Sequence, residues 1–333
     1  MASSIVVALD WTPNTNHSGF FVAQHEGLYA AAGLDVTLRS PDDAQAAGRT
    51  PGRQVAEGLP TFAIAPSETA LSFATAEEGQ PALVAVAAVC QGSTSAICTL
   101  KSSGIDSPGK LAGKQYASYG GRFEDAIVSR MVANDGGTSQ VLFHPLEFHG
   151  YDEDKTMNVG SVVASHLEQG RSDATWIFPA WEGILAARAG QELNLFKLED
   201  FGIPYGYSPV LLAQRTALEE GPALERTRAF LAATAEGYKR AAADPHRAAA
   251  ALCATGHASL SDAAFVEASA AAIAGSYLDP VAGQWGSMDA ARWEAFVDFL
   301  SNAAILVNRA NEPIPRTAVD VAALFSNVAL PSP

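Results

Sequence analysis

Cysteine is scarce in this chain, and so is positive charge. The three cysteines, Cys90, Cys98 and Cys253, are too few for a disulfide framework and show no C-x-x-C spacing. Lys and Arg number 21 against 36 Asp and Glu, a net charge of -15. That balance excludes binding nucleic acid or an anionic membrane through a general basic field. No run of about 18 apolar residues occurs, so no membrane-spanning helix is expected. The opening MASSIVVALD lacks a basic region, a long apolar core and a cleavage site. The expectation is therefore a cytoplasmic chain, or a periplasmic or cell-surface one whose leader has been trimmed. No two histidines stand at i, i+4 and no Cys/His cluster has ligand spacing, so neither a metal nor a cofactor is expected. Neither GxGxxG nor GxxxxGK[ST] occurs, which leaves nucleotide binding weakly supported, and a GxSxG nucleophile elbow is missing too.

What remains is apolar and punctuated. With 333 residues, 48% of them apolar, two lobes are the default expectation. Ile5–Leu9 is short and β-branched, as a fully buried strand is. Phe20–Tyr29 reads as a helix closed near Gly27, and Leu34–Leu38 alternates like a half-buried strand. A polar loop with one short helix fills Ser40–Gly58; Thr61–Ala65 is a strand, and Ser67 is placed to cap the helix after it. Leu83–Val89, Ser95–Leu100, Gln115–Ser118, Val141–His144 and Ala174–Phe178 complete the strands. Phe123, Ile127 and Met131 mark one face of a helix stopped by Asp135-Gly136-Gly137. Further helices are expected near Val159–Gly170, from Trp181 to Ala189 with Gly190 as C-cap, and from Pro222 to Ala243. Strands alternating with helices predict α/β lobes with parallel sheets covered on both faces.

One loop stands out. After the first strand come Asp10, Trp11, Thr12, Asn14, Thr15, Asn16 and His17, broken by Pro13. The segment DWTPNTNH, followed by GLYAAAGLDV, resembles solute-binding proteins for pyrimidine precursors of thiamine, a branch of the broad family that includes the yeast thiamine-pyrimidine synthases. The resemblance continues through GKQYASYGGRFEDAIVSRMVANDGG, SDATWIFPAWEGI, YSPVLLA, RWEAFVDFLSNAAIL and LFSNVALP, nearly the whole chain. It implies a two-lobed periplasmic-binding-protein-like fold (type II) with two crossovers and a ligand cleft between the lobes. By the same resemblance residues 1–92 plus 206–333 form lobe one and residues 93–205 lobe two. The implied function is to bind a hydroxymethyl-, aminomethyl- or formylaminomethyl-pyrimidine for uptake or carriage, with an ABC transporter permease as partner if the chain is exported. A synthase-like enzyme, or a binder of riboflavin or a sulfonate, is the alternative. Counting back from Gly79-Gln80-Pro81, which matches the family's GxP, the synthase lysine position reads Ser67 and the histidine position Leu71. No cysteine-rich segment stands near Tyr205–Leu212. The residues therefore lean away from the enzyme.

Each candidate contact has a structural counterpart. Trp11 is either core or a π-face for a pyrimidine ring. Asn14 and Asn16 either satisfy a turn or offer the mixed donors and acceptors that a pyrimidine edge needs; His17 is a lid contact or a helix-start contact. Glu68 either compensates a helix dipole or pairs with an aminopyrimidine. Tyr119-Gly120-Gly121 is a turn, or a close backbone approach whose N–H groups meet an anion or a formyl oxygen, and Arg122 keeps a phosphate open. Phe178, Trp181 and Glu182 cluster at a strand end, with Trp181 expected to stack opposite Trp11 or Tyr119. Tyr207, in the second crossover, is hinge packing or a cleft wall.

Overall fold

The computed structural model describes residues 3–46, 48–75, 83–146 and 162–332. Gly79, Gln80 and Pro81, and the start of the helix expected from Val159, lie outside the described residues.

Among the described residues, ten strands form two five-stranded sheets of the same design. The first contains β1 (Ser3–Ala8), β2 (Leu34–Arg39), β3 (Phe62–Ala65), β4 (Leu83–Ala88) and β10 (Val210–Gln214), in the order β2-β1-β3-β10-β4. The second contains β5 (Ala96–Leu100), β6 (Gln115–Ser118), β7 (Leu142–Pro145), β8 (Ala174–Ile177) and β9 (Leu193–Phe196), in the order β7-β6-β8-β5-β9. The expected all-parallel sheets are corrected here: β10 runs antiparallel between β3 and β4, and β5 antiparallel between β8 and β9. The cause is connectivity. Each antiparallel strand arrives by a crossover from the other sheet, so it enters from the opposite end and cannot follow the right-handed strand–helix–strand path of its neighbours.

The crossovers touch. The Ser208 N–H donates to the Gly92 carbonyl at 3.3 Å, and Thr94 Oγ1 donates to the Ser208 carbonyl at 3.0 Å. Arg292 spans both, donating to the Gln91 carbonyl at 3.0 Å and the Gly206 carbonyl at 3.4 Å. Its guanidinium lies 4.2 Å from the Tyr207 ring centroid, and the Tyr207 hydroxyl accepts the Asp289 N–H at 2.8 Å. Tyr207 is therefore packed into the hinge.

The first sheet is backed by an aromatic stack. Phe230, from the Pro222–Ala243 helix, lies nearly parallel to Phe62 at 4.6 Å and to Tyr29 at 5.5 Å. That helix crosses the Ser18–His25 helix at Gly19 and Gly237, where a Cβ on Gly237 would stand 2.1 Å from the Gly19 carbonyl oxygen. Only glycine permits that approach. In the second lobe Phe123, Ile127 and Met131 are all buried, as their spacing predicts, along the Glu124–Asn134 helix. Ser67 differs from expectation. It is the first residue of the Ser67–Ala74 helix, the cap position falls on Pro66, and its buried hydroxyl makes no hydrogen bond. Leu71 is sealed in the core. The helix expected from Trp181 begins earlier, as a wide π-type turn over Pro179–Gly183 that runs into Ile184–Arg188.

Candidate functional site

A cavity of about 610 Å³ opens between the lobes at the carboxyl ends of β1, β3 and β6. Clefts at strand carboxyl ends are where open α/β sheets bind ligands. Asp10, Ala65, Pro66 and Glu68 line it from the first lobe, and Gly121 and Arg122 from the second.

The turn after β1 is built almost entirely from its own polar groups. Asn14 Oδ1 accepts the Asn16 N–H at 2.9 Å, and Asn14 Nδ2 donates to the Thr12 carbonyl at 2.9 Å. The Asn14 N–H donates to His17 Nδ1 at 3.3 Å. Because Nδ1 accepts, the ring proton sits on Nε2, which meets Asp10 Oδ1 at 2.7 Å. His17 is completely buried. Tyr238 and Tyr277 donate their hydroxyls to the carbonyls of Asn16 and Thr15 at 2.7 and 2.6 Å. Asn14 and His17 thus hold the turn with their side chains, Asn16 joins through its backbone N–H and carbonyl, and Trp11 stands half-buried at its start.

Trp11 meets Tyr119 of the other lobe edge-on, ring centroids 6.0 Å apart at 75°. The expected Trp181 stack is corrected: Trp181 is buried and packs against Phe265 at 4.5 Å. Phe265 stands on the Ala263–Ile273 helix of the first lobe, so the Trp181 ring is spent on a contact between the lobes. Phe178 is half-buried at the same strand end.

Glu68 is the most perturbed group on the cavity wall. Burial pushes its carboxyl up to about 8, the nearby Glu124 adds to this, and Arg122 only partly opposes it. The dipole reading needs an ionised carboxylate in the first turn, whereas this one holds its proton at neutral pH. Its Oε2 is buried with no hydrogen-bond partner. A Cβ on Gly121 would stand 3.2 Å from Glu68 Oε1 and 3.4 Å from Glu124, so glycine lets the two lobes close together here. Glu182 is also buried and raised, to about 7, by desolvation against the pull of the Phe178 N–H it accepts at 2.9 Å.

The N–H groups of the Tyr119-Gly120-Gly121 turn are not left for a ligand. Glu124 accepts those of Tyr119 and Gly121, both at 3.2 Å, and Ser118 Oγ accepts that of Gly120 at 3.0 Å. Sequence reasoning missed Glu124. Its place three residues after Gly121, in the first turn of a helix, is the signal that identifies such a cap. Asp10, Arg49, Arg53 and Arg309 were missed as well, because they reach the cavity from separate segments. Among the described residues no group of three His, Cys, Asp or Glu is placed to hold a metal ion, and no helix is long and apolar enough to cross a membrane.

Comparison with known proteins fits this geometry. A family model described as NMT1/THI5 like matches residues 14–248. A formylaminopyrimidine-binding protein of Halalkalibacterium halodurans is 25% identical over 299 residues, 89% of this chain and 84% of that protein. A putative thiamine biosynthesis protein of Haemophilus influenzae is 25% identical over 245 residues, 73% of this chain and 71% of that one. Among solved structures, the alkanesulfonate-binding protein SsuA of Xanthomonas axonopodis pv. citri, bound to MOPS, superposes with a TM-score of 0.64. It has 17% identity and covers 95% of this chain and 97% of its own. At that identity the likeness is one of fold, the two-lobed periplasmic-binding-protein-like arrangement.

Proposed function

Because the chain belongs to the NMT1/THI5 like family, we propose that it binds a small aminopyrimidine of the thiamine-precursor type in the cavity between its lobes. The observation that carries this reading is Glu68 on the cavity wall, whose Oε2 is buried with no hydrogen-bond partner and whose carboxyl is pushed by burial toward the protonated form. A neutral carboxyl presents one donor and one acceptor side by side. An aminopyrimidine edge presents the complement, a ring nitrogen that accepts and an exocyclic amine that donates. Trp11 and Tyr119, which meet edge-on across the lobes, supply aromatic faces beside it. The similarity to a protein named for binding formylaminopyrimidine supports the same ligand class.

In this reading the chain closes residues 1–92 plus 206–333 on residues 93–205 around the ligand without converting it. The position of the synthase histidine is occupied by Leu71, buried in the core, and that of the lysine by Ser67, which has no amine for a Schiff base. In an exported form the bound pyrimidine would be handed to a membrane permease.

Calorimetric titration with hydroxymethyl-, aminomethyl- and formylaminomethyl-pyrimidine tests the reading, followed by mass spectrometry of the recovered compound. We expect one equivalent bound and recovered unchanged, with Glu68→Leu weakening binding by at least about tenfold. Failure of all three pyrimidines to bind, or turnover of any of them, overturns it.

A further inference from the structure

We propose that the outer end of the cavity is an anion subsite, formed by Arg122 and Arg309 with Arg49 and Arg53 beside them, which takes a phosphate or similar oxyanion carried on the pyrimidine's side arm. The pyrimidine half of this statement rests on the function proposed above; the oxyanion half does not.

The charge distribution is the first ground. The chain carries -15 overall, yet four arginines line this one cavity. Glu57 serves two of them at once, Arg49 at 2.9 Å and Arg53 at 2.6 Å, so that group keeps a net positive charge. Arg122 and Arg309 have no ion pair among the described residues. They repel each other: burial first, and then the charge of Arg309, lower the Arg122 pKa. The carboxylates that share the cavity, Asp10 and Glu57, are outnumbered by the four arginines, and burial pushes Glu68 toward its protonated form.

Orientation is the second ground. Arg122 Nη1 donates to the Ser72 carbonyl at 3.1 Å and to Thr75 Oγ1 at 3.0 Å, both on the opposite lobe. That anchors one corner of the fork across the cleft mouth and leaves other N–H groups for a ligand. A planar guanidinium matches an oxyanion through paired, charge-assisted bonds about twice as strong as neutral ones. An oxyanion between Arg122 and Arg309 would replace their repulsion by two attractions, one from each side of the cleft. It would also tie ligand charge to lobe closure.

The test is calorimetric titration at low salt with three probes: the hydroxymethyl-pyrimidine, its phosphate monoester, and inorganic phosphate. The variant is Arg309→Ala, whose side chain is exposed, with circular dichroism to check its fold. We expect the monoester to bind at least about tenfold more tightly than the alcohol, and this preference to shrink to within about threefold in Arg309→Ala. Added salt should weaken the monoester selectively. Equal affinities for alcohol and monoester, or a preference that survives Arg309→Ala, overturn the subsite while leaving the pyrimidine reading in place. If neither pyrimidine binds but inorganic phosphate does, and loses its affinity in Arg309→Ala, the pyrimidine reading falls and the subsite stands. If no probe binds, both fall.

Discussion

The two walls of the cleft are made differently. On the first-lobe wall, the turn from Asp10 to His17 spends the Asn14 amide, the His17 imidazole, the Thr15 hydroxyl and two carbonyls on itself and on Tyr238, Tyr277 and Ser269. On the second-lobe wall, Tyr119 and Gly120 are exposed, and two buried carboxyls, Glu124 and Glu182, hold the backbone from behind. One wall is a fixed template that positions a single indole. The other is a thin surface over ionisable groups. Removing a group from the first should therefore cost stability, and altering the second should change affinity and pH response.

The largest effect should come from breaking the template. In His17→Ala the Asn14 N–H loses its acceptor and the buried side of Asp10 its donor, so unfolding free energy should fall by about 2–4 kcal/mol. Urea denaturation measures this. A loss under about 1 kcal/mol would mean the first wall is no more rigid than the second.

Trp11 sharpens the comparison, since it stands on the template but faces across the cleft. Trp11→Ala should weaken pyrimidine binding at least about tenfold, with stability changed less than in His17→Ala. Unchanged affinity combined with a large stability loss would make Trp11 a core residue.

The carboxyls set a pH dependence. Glu68 and Glu182 are raised from 4.5 to about 8 and about 7. Between those values the folded chain keeps protons that the unfolded chain has released, so their contribution is full below the ordinary carboxylate range and is lost as pH rises through 7 to 8. Melting temperature should therefore fall from about pH 5.5 to about pH 8.5, and Glu68→Gln should flatten the decline. Superimposable profiles for wild type and Glu68→Gln would show that Glu68 is not the group responsible.

The smallest effect concerns the rim. Arg188 and Asp262 join the lobes at 2.6 Å, but their side chains are 44% and 53% exposed. Arg188→Ala should cost less than about 1 kcal/mol of stability and leave pyrimidine affinity within about twofold. A larger change in affinity, read by the same titration, would make the rim rather than the walls the determinant of closure.

Local pattern alone was enough for much of the chain. Gln115–Ser118 and Pro222–Ala243 fall where alternation, the Pro at the first helical position and the Asp244-Pro245 stop place them. Their signals lie within a few residues and need no partner to be read. Leu193–Phe196 was not read as a strand, because only its pairing with β5 makes a short, half-exposed segment extended. Val210–Gln214 was not read as a strand either, since nothing local says it will be inserted antiparallel between β3 and β4.

The site divides the same way. The sequence by itself determined that a Trp and a group of amides follow β1, that a double glycine follows β6, and that carboxyls stand in first turns. Tertiary structure decided which of them face the cavity. Trp181 packs against Phe265 of the other lobe; Glu124 and Ser118 claim the glycine-turn N–H groups; burial raises the Glu68 pKa; and Arg49, Arg122 and Arg309, far apart along the chain, come to one cavity. Strand and helix signals are local. Desolvation and charge convergence depend on what the rest of the chain brings near, and that exists only after folding.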